Sequence, residues 1–351
     1  MEADESTAGS EMDNRSSQSA AFYHDPPLWV GESPIDDVTQ PWQVDFEAFK
    51  EVVYEGKVGP MRFKALREGM FKFDFTEWPE GHVPPLSGTP SSFDERANAI
   101  VNRTMVMNAY LALLYTELLS RHRAIYRMVV TPELIIGAGE YDDDVAMSFG
   151  DAHTGYLAQS RYPMTYRQDI PYALDARLQS RNPILERDVI ADVAAELTAL
   201  IARWGTDGLL LADLFLRGSK AFQDHNHSAA LIDYWAVTER LLQEAWEQYK
   251  SDNAHRENGS FLPGIRRSRL DDGRSFTAAV ITEMLSFADR IPFPLYGKLS
   301  KVRKARNDWM HDLKRPIAED VTTAAEACED LLQLVRGIGL NGGIVRYIHG
   351  S

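Results

Sequence analysis

Cysteine is almost missing from this chain. Cys328 is the single one, so neither a disulfide framework nor a thiolate zinc site can be built within one copy. Long hydrophobic runs are missing too. The best candidate, Gly208 to Leu216, is short and interrupted by Asp213, well below the ~18 apolar residues that a membrane-spanning helix needs, so no membrane partner is expected. The first twenty residues, MEADESTAGSEMDNRSSQSA, have neither the positive start nor the apolar stretch of a secretory signal, which predicts a cytoplasmic protein. There is no phosphate-binding loop, dinucleotide fingerprint or hydrolase elbow, and no cofactor or metal is implied. Stability must therefore come from packing. The 351 residues are 44% hydrophobic, 10% aromatic and 25% charged, an ordinary globular balance with length enough for two domains.

Positive charge is in deficit, with a net charge of −15, but the deficit is local. Residues 1–55 carry thirteen acidic side chains against Arg15 and Lys50, a balance of −11. From Gly264 to Arg306 ten basic residues face only Asp271, Asp272, Glu283 and Asp289, a balance of +6. That second field could attract phosphate, or it could be a solvated helix face beside a basic loop.

Composition and periodicity divide the chain. Residues 1–24 have few large apolar side chains and read as a disordered acidic tail. Residues 25–204 read as a mostly helical N-terminal region of unknown function. Its first part, to about residue 90, is rich in Pro, Gly and aromatics, and holds one short helical candidate, Asp45 to Tyr54; it is expected to wrap a core made elsewhere. Ser92 with Glu95 forms a capping-box pattern opening a long helix to about His122. Between Ile125 and Tyr166 a few short strands or an irregular connection are expected. Asn182-Pro183 reads as the start of a helix ending near Trp204-Gly205. Residues 205–340 then read as a helical bundle, with helices at Asp207 to Phe222, Ser228 to Tyr249, Phe276 to Arg290, Leu295 to Asp312 and Ile317 to Arg336, and residues 341–351 as a tail. The fold class expected is mainly α. Two apolar stripes carry the bundle: Leu231, Trp235, Thr238, Leu242, Ala245, Tyr249, and Ile317, Val321, Ala324, Cys328, Leu331, Val335. Cys328 on such a stripe reads as a small buried hydrophobe.

Two polar residues stand where apolar ones are expected. The stripe Leu295, Leu299, Val302, Arg306, Trp309, Leu313 has an arginine in its middle. A guanidinium on an apolar face must be paired or serve a ligand. Glu239 shares an edge with Ile232, Trp235, Leu242 and Trp246, and is the first candidate to orient or neutralise Arg306, functionally or as a plain structural ion pair. Asn307 and His311 lie one turn apart on the same face, whereas Arg306 and His311 are rotated by about 140°, so convergence of all three suits two copies about a twofold axis. Arginine, an amide and histidine form a set suited to metal-independent phosphodiester chemistry: histidine moves protons, arginine stabilises charge on the phosphate.

The segment KVRKARNDWMHD late in a helical bundle resembles the HEPN superfamily, whose motif is Arg, four to six residues, then His, often with a polar residue after the Arg. Here these are Arg306, Asn307 and His311, and Glu239 in ALIDYWAVTERLL resembles the family's acidic position. No other arginine in the chain has a histidine five to seven residues after it. The resemblance spans residues 206–337. It implies an all-α homodimer with a composite cleft and often metal-independent endoribonuclease activity in bacterial defence or toxin systems. Leu313 stands where one toxin branch has a modified tyrosine, so that regulation is not expected. On this reading single-stranded or loop RNA is the substrate, with Lys298, Lys301, Arg303, Lys304, Arg266 and Arg267 as RNA-binding candidates and a regulatory protein as a further possible partner. The alternatives are a catalytically silent HEPN-like dimerisation or RNA-binding module, and an interaction domain unrelated to nucleic acid, for which Lys301→Glu with Lys304→Glu would change nothing. Other candidates read as ordinary structure: His225-Asn226-His227 as a helix start, Asp142 to Asp144 as a solvated turn, Asp151 with His153 as a loop.

Overall fold

Ser19–Tyr23, at the end of the segment read as a tail, is a strand in the middle of a sheet. The structure, a computed structural model, describes residues 18–25, 28–34, 45–84, 87–123, 125–138, 147–148, 183–253 and 269–343. In chain order it opens with β1 (Ser19–Tyr23), β2 (Trp29–Val30), the single turn α1 (Phe46–Phe49), then β3 (Val52–Val58), β4 (Met61–Leu66) and β5 (Met70–Asp74). With β6 (Ile136–Ala138) and β7 (Met147–Ser148) they make a six-stranded antiparallel sheet in the order β3-β4-β5-β1-β6-β7. β2 pairs separately, in parallel, with β8 (Ile184–Leu185).

This corrects two expectations. The tail stops before residue 18, because Ala20, Ala21 and Phe22 are fully buried between β5 and β6; residues 1–17 lie outside the described residues. Among its described residues the N-terminal region combines helix with this sheet, and its aromatic side chains form part of the core rather than wrapping one made elsewhere. Along β4 and β5, Met61, Phe63, Ala65, Phe71 and Phe73 alternate with Arg62, Lys64 and Lys72, and the apolar set is buried, as a two-residue period on a one-sided sheet requires. The helix expected at Asp45 to Tyr54 is only the four residues of α1, capped by Asp45 Oδ1 accepting from Glu47 N–H at 3.0 Å.

The aromatic face of the sheet meets α2 (Pro90–Ser120). Tyr110 packs 5.0 Å from the Phe63 ring and 5.4 Å from Phe71, and Phe63 lies 4.7 Å from Phe73. Each such ring contributes roughly 1.5–3 kcal/mol by leaving water. The helix starts two residues before Ser92, with Thr89 as N-cap and Pro90 setting φ in the first turn. The capping box expected there does not form, and Ser92 Oγ instead donates to the Thr89 carbonyl at 2.8 Å.

α2 packs along α3 (Arg187–Gln223). The start expected at Asn182-Pro183 is displaced, because Pro183 leads into β8, whose pairing with β2 claims the backbone first. The break expected near Trp204-Gly205 is a kink: Gly205 has φ 53° and ψ −143°, a conformation essentially restricted to glycine. Arg336 braces it, donating to Asp207 and Glu244 with its guanidinium 4.6 Å above the Trp204 ring.

The bundle follows as α4 (His227–Asp252), α5 (Ala278–Phe287), α6 (Phe293–Asp312) and α7 (Ala318–Leu331), ending in a π-turn, Leu332–Arg336. The described part of the chain is mainly helical. Asn226 caps α4, accepting from Ala229 N–H at 3.2 Å, which is the capping role expected for the His225-Asn226-His227 string. Cys328 is fully buried, and burial pushes its thiol far up, away from reactivity. One apolar cluster runs from Phe63 through Leu197 and Leu231 to Leu299 and Cys328, so the division drawn at residue 204 falls inside α3 and cuts through a continuous core. The start of the expected C-terminal tail is packed: Asn341 N–H donates to Thr116 Oγ1 at 3.0 Å and Gly342 N–H to Glu329 Oε1 at 2.7 Å. Asp142 to Asp144, Asp151, His153, Arg266 and Arg267 lie outside the described residues.

Candidate functional site

The α6 helix carries the candidate residues. Pro292 and Pro294 set its first turn, and Leu295, Leu299 and Val302 bury its inner face against the bundle. It ends at Leu313, whose φ of 53° is left-handed, a strain of roughly 1–2 kcal/mol for a residue with a Cβ. The Leu313 and Lys314 amides close the end by donating to Trp309 O at 3.1 Å and Asp308 O at 3.2 Å.

Arg306 continues the inner stripe and is half-buried. Its Nη1 donates to Asn307 Oδ1 at 3.1 Å. Its Nε is shielded from solvent and has no hydrogen-bond acceptor, and no carboxylate pairs with the guanidinium among the described residues. Glu239 does not answer it. The buried arc of α4 is Leu231, Tyr234, Trp235, Thr238, Leu241 and Leu242. Glu239 lies one residue, about 100°, past Thr238 and is exposed; the expected carboxylate–guanidinium pairing is absent among the described residues. Asn307 and His311 are exposed one turn apart, as their spacing predicts. Within one chain, Asn307 touches Arg306, whereas no hydrogen bond joins His311 to either among the described residues.

The basic candidates separate into two kinds. Lys298 is engaged with Glu326 at 3.0 Å and Asp330 at 2.9 Å on α7, so its charge is neutralised inside the fold. Lys301, Arg303 and Lys304 form no ion pair among the described residues, and Lys301 and Lys304 are exposed. Lys314 and Arg315, which the sequence reading passed over, face Lys301 and Lys304 across a groove of about 240 Å³ between α6 and α7. They were hidden because Asp308 and Asp312 offset them in any charge count extended past Arg306. Beside this end of α6 stand three exposed apolar side chains, Met310 at 50%, Leu313 at 74% and Ile317 at 59% exposure.

Other polar groups inside the fold are structural. Asp213 accepts from Asn108 Nδ2 at 2.6 Å and from Arg217 Nε at 2.9 Å, and burial raises its carboxyl above the usual range. Burial likewise pushes Asp233 up to about 6 and Glu329 up to about 7. Among the described residues no three His, Cys, Asp or Glu side chains converge as a metal site, and no helix is long and apolar enough to cross a membrane. No protein-family model, curated protein or solved structure matches this chain.

Proposed function

We propose that the protein is a HEPN-type, metal-independent endoribonuclease that cuts single-stranded or loop RNA as a homodimer. The observation that carries this reading is Arg306. A half-buried arginine continuing the apolar stripe of a helix, with a solvent-shielded Nε–H lacking an acceptor and no carboxylate partner among the described residues, leaves a donor to be satisfied by an anion arriving from outside. A scissile phosphate is such an anion, and a planar guanidinium suits its oxygens.

Two copies are needed because one helix separates Arg306 from His311 by about 140°. The exposed Met310, Leu313 and Ile317 at the same end of the bundle supply apolar area for a twofold contact there. In the resulting cleft one imidazole takes the proton of the ribose 2′-hydroxyl as O2′ attacks phosphorus. The P–O5′ bond breaks, and the second imidazole gives its proton to the departing O5′, leaving a 2′,3′-cyclic phosphate and a 5′-hydroxyl. Arg306 stabilises the charge that builds on the non-bridging oxygens, and Asn307 holds the guanidinium in position. Glu239, exposed on α4, has no part in this scheme within its own chain.

The test is incubation of the purified protein and a His311→Ala variant with total RNA in EDTA, followed by analysis of the product ends. Cleavage by wild type alone, ending in 2′,3′-cyclic phosphate, is expected. Intact RNA with both proteins, RNA binding being retained, would replace this reading with a catalytically silent RNA-binding module.

A further inference from the structure

The groove between α6 and α7 is formed where the chain turns back at Leu313. Lys301 and Lys304 line it from α6, and Lys314 and Arg315 from the connecting loop. Three carboxylates also line it, and two are occupied. Asp308 pairs with Lys314 at 3.5 Å, and Asp320 accepts from the Ile317 amide at 3.0 Å. Lys301, Lys304 and Arg315 form no ion pair among the described residues, and the lining as a whole sets four cations against three carboxylates, a net charge of +1. Some cations elsewhere in this acidic chain are engaged, as Lys250 is with Glu247 and Asp271 and Arg121 is with Glu117, Asp188 and Asp192, and others such as Arg62 and Lys72 stand singly on the sheet; what sets the groove apart is that its cations line one concavity. Three cations unpaired among the described residues line one concave site of net positive charge, and such a site favours a compact, multiply accepting anion.

Its position relative to the candidate motif is defined by helical geometry. Lys304, Asp308 and His311 are spaced by four and three residues, so they form one stripe along α6. Lys304 and His311 are about 10 Å apart along the axis. We propose that this groove is a backbone subsite for single-stranded RNA, holding a phosphate roughly one or two nucleotides from the bond that His311 addresses. This rests on the ribonuclease reading above, and deepens it by assigning a second contact to the same strand. Lys301, Lys304 and Arg315 hold the phosphate; Lys314, tied to Asp308, shapes the wall.

The test separates the groove from the chemistry by measuring binding alone. A labelled, 2′-O-methylated single-stranded oligoribonucleotide, which cannot be cut through its 2′-oxygen, is titrated by fluorescence anisotropy over a series of salt concentrations. The proteins are wild type, Lys304→Gln, Arg315→Gln, the double variant, and Lys57→Gln as a control on the sheet, where Lys57 pairs with Glu77. Each groove substitution is expected to weaken binding several-fold and to lower the salt slope by about 0.7, with the double variant losing about 1.4. Lys57→Gln is expected to keep the wild-type slope. An unchanged slope in the double variant, or an equal loss in Lys57→Gln, overturns the subsite, as does an absence of RNA binding by wild type at low salt. Failure of the cleavage reading would show separately, as uncut total RNA while the slope still responds to the groove. Far-ultraviolet circular dichroism of each variant verifies that it is folded.

Discussion

Replacing Glu329 with glutamine should flatten part of the protein's pH-dependent stability. The Glu329 carboxyl on α7 accepts the Gly342 amide at 2.7 Å, next to the Ser219 and Tyr234 hydroxyls, which are bonded at 2.8 Å and both buried. Burial is the largest cause of its raised value, the Gly342 hydrogen bond opposes it, Asp330 and Glu326 add to it, and Lys298 opposes it weakly; the result is about 7 against an ordinary 4.5. The sign follows from which state ionises first. The unfolded chain loses the proton at the ordinary value, whereas the folded protein keeps it until about 7, so stability is fully present below the ordinary value and is lost as pH rises through that window. Between about pH 5 and about pH 8 the loss amounts to at most about 2.5 kcal/mol, solvent screening of this partly exposed group reducing it. Glutamine keeps an acceptor oxygen for Gly342 and cannot ionise. Urea unfolding of both proteins across this range gives the difference in free energy directly, and the raised carboxyls of Asp213 and Asp233 cancel in it. The variant is expected to gain on wild type steadily as pH rises. Parallel stability curves would refute the raised carboxyl assigned to Glu329.

Two glycine-to-alanine substitutions should differ in cost. Gly69 has φ +83° and a Cβ there would lie 2.5 Å from the Leu28 carbonyl oxygen, whereas Gly205, at φ +53°, has open space around it. Gly69→Ala should therefore lose about 3 kcal/mol or more and Gly205→Ala only about 1–2 kcal/mol, read as urea midpoints; equal losses would argue against the tight turn before β5. Arg336→Met leaves Asp207 and Glu244 facing each other without their shared cation and should cost about 3 kcal/mol. Adding Asp207→Asn and Glu244→Gln should recover part of that loss, and no recovery would mean that packing on Trp204, not charge, holds the kink.

The parts of the fold that were legible have long, one-sided periodicity. α4, α6 and α7 stand where their three- and four-residue spacings put them, because in a bundle each helix buries one arc and the spacing records that arc directly. The sheet was written just as clearly in Met61, Phe63, Ala65 and Phe71, Phe73, Phe75, but its aromatic, Gly and Pro content points to a segment wrapped around another core and masks an alternation that is there to count. β1 is different. Ala20, Ala21 and Phe22 are all buried, so no alternation exists, and the segment is a strand only because β5 and β6, both far along the chain, pair with its two edges. The same distinction runs through the candidate site. Spacing shows that Arg306 interrupts an apolar stripe and that Asn307 and His311 share a face, since those are properties of one helix. Whether a carboxylate meets Arg306 is a property of two, and Glu239 sits at the margin of α4's buried arc, where one residue of helical phase turns a side chain from the core to solvent. The orphaned Nε of Arg306 is therefore a fact that no pattern of residue types contains: it depends on whether any described residue places an acceptor within reach, and none does. On the proposed reading that vacancy is functional, since a guanidinium already satisfied by Glu239 would have to surrender that partner before it could hold a phosphate.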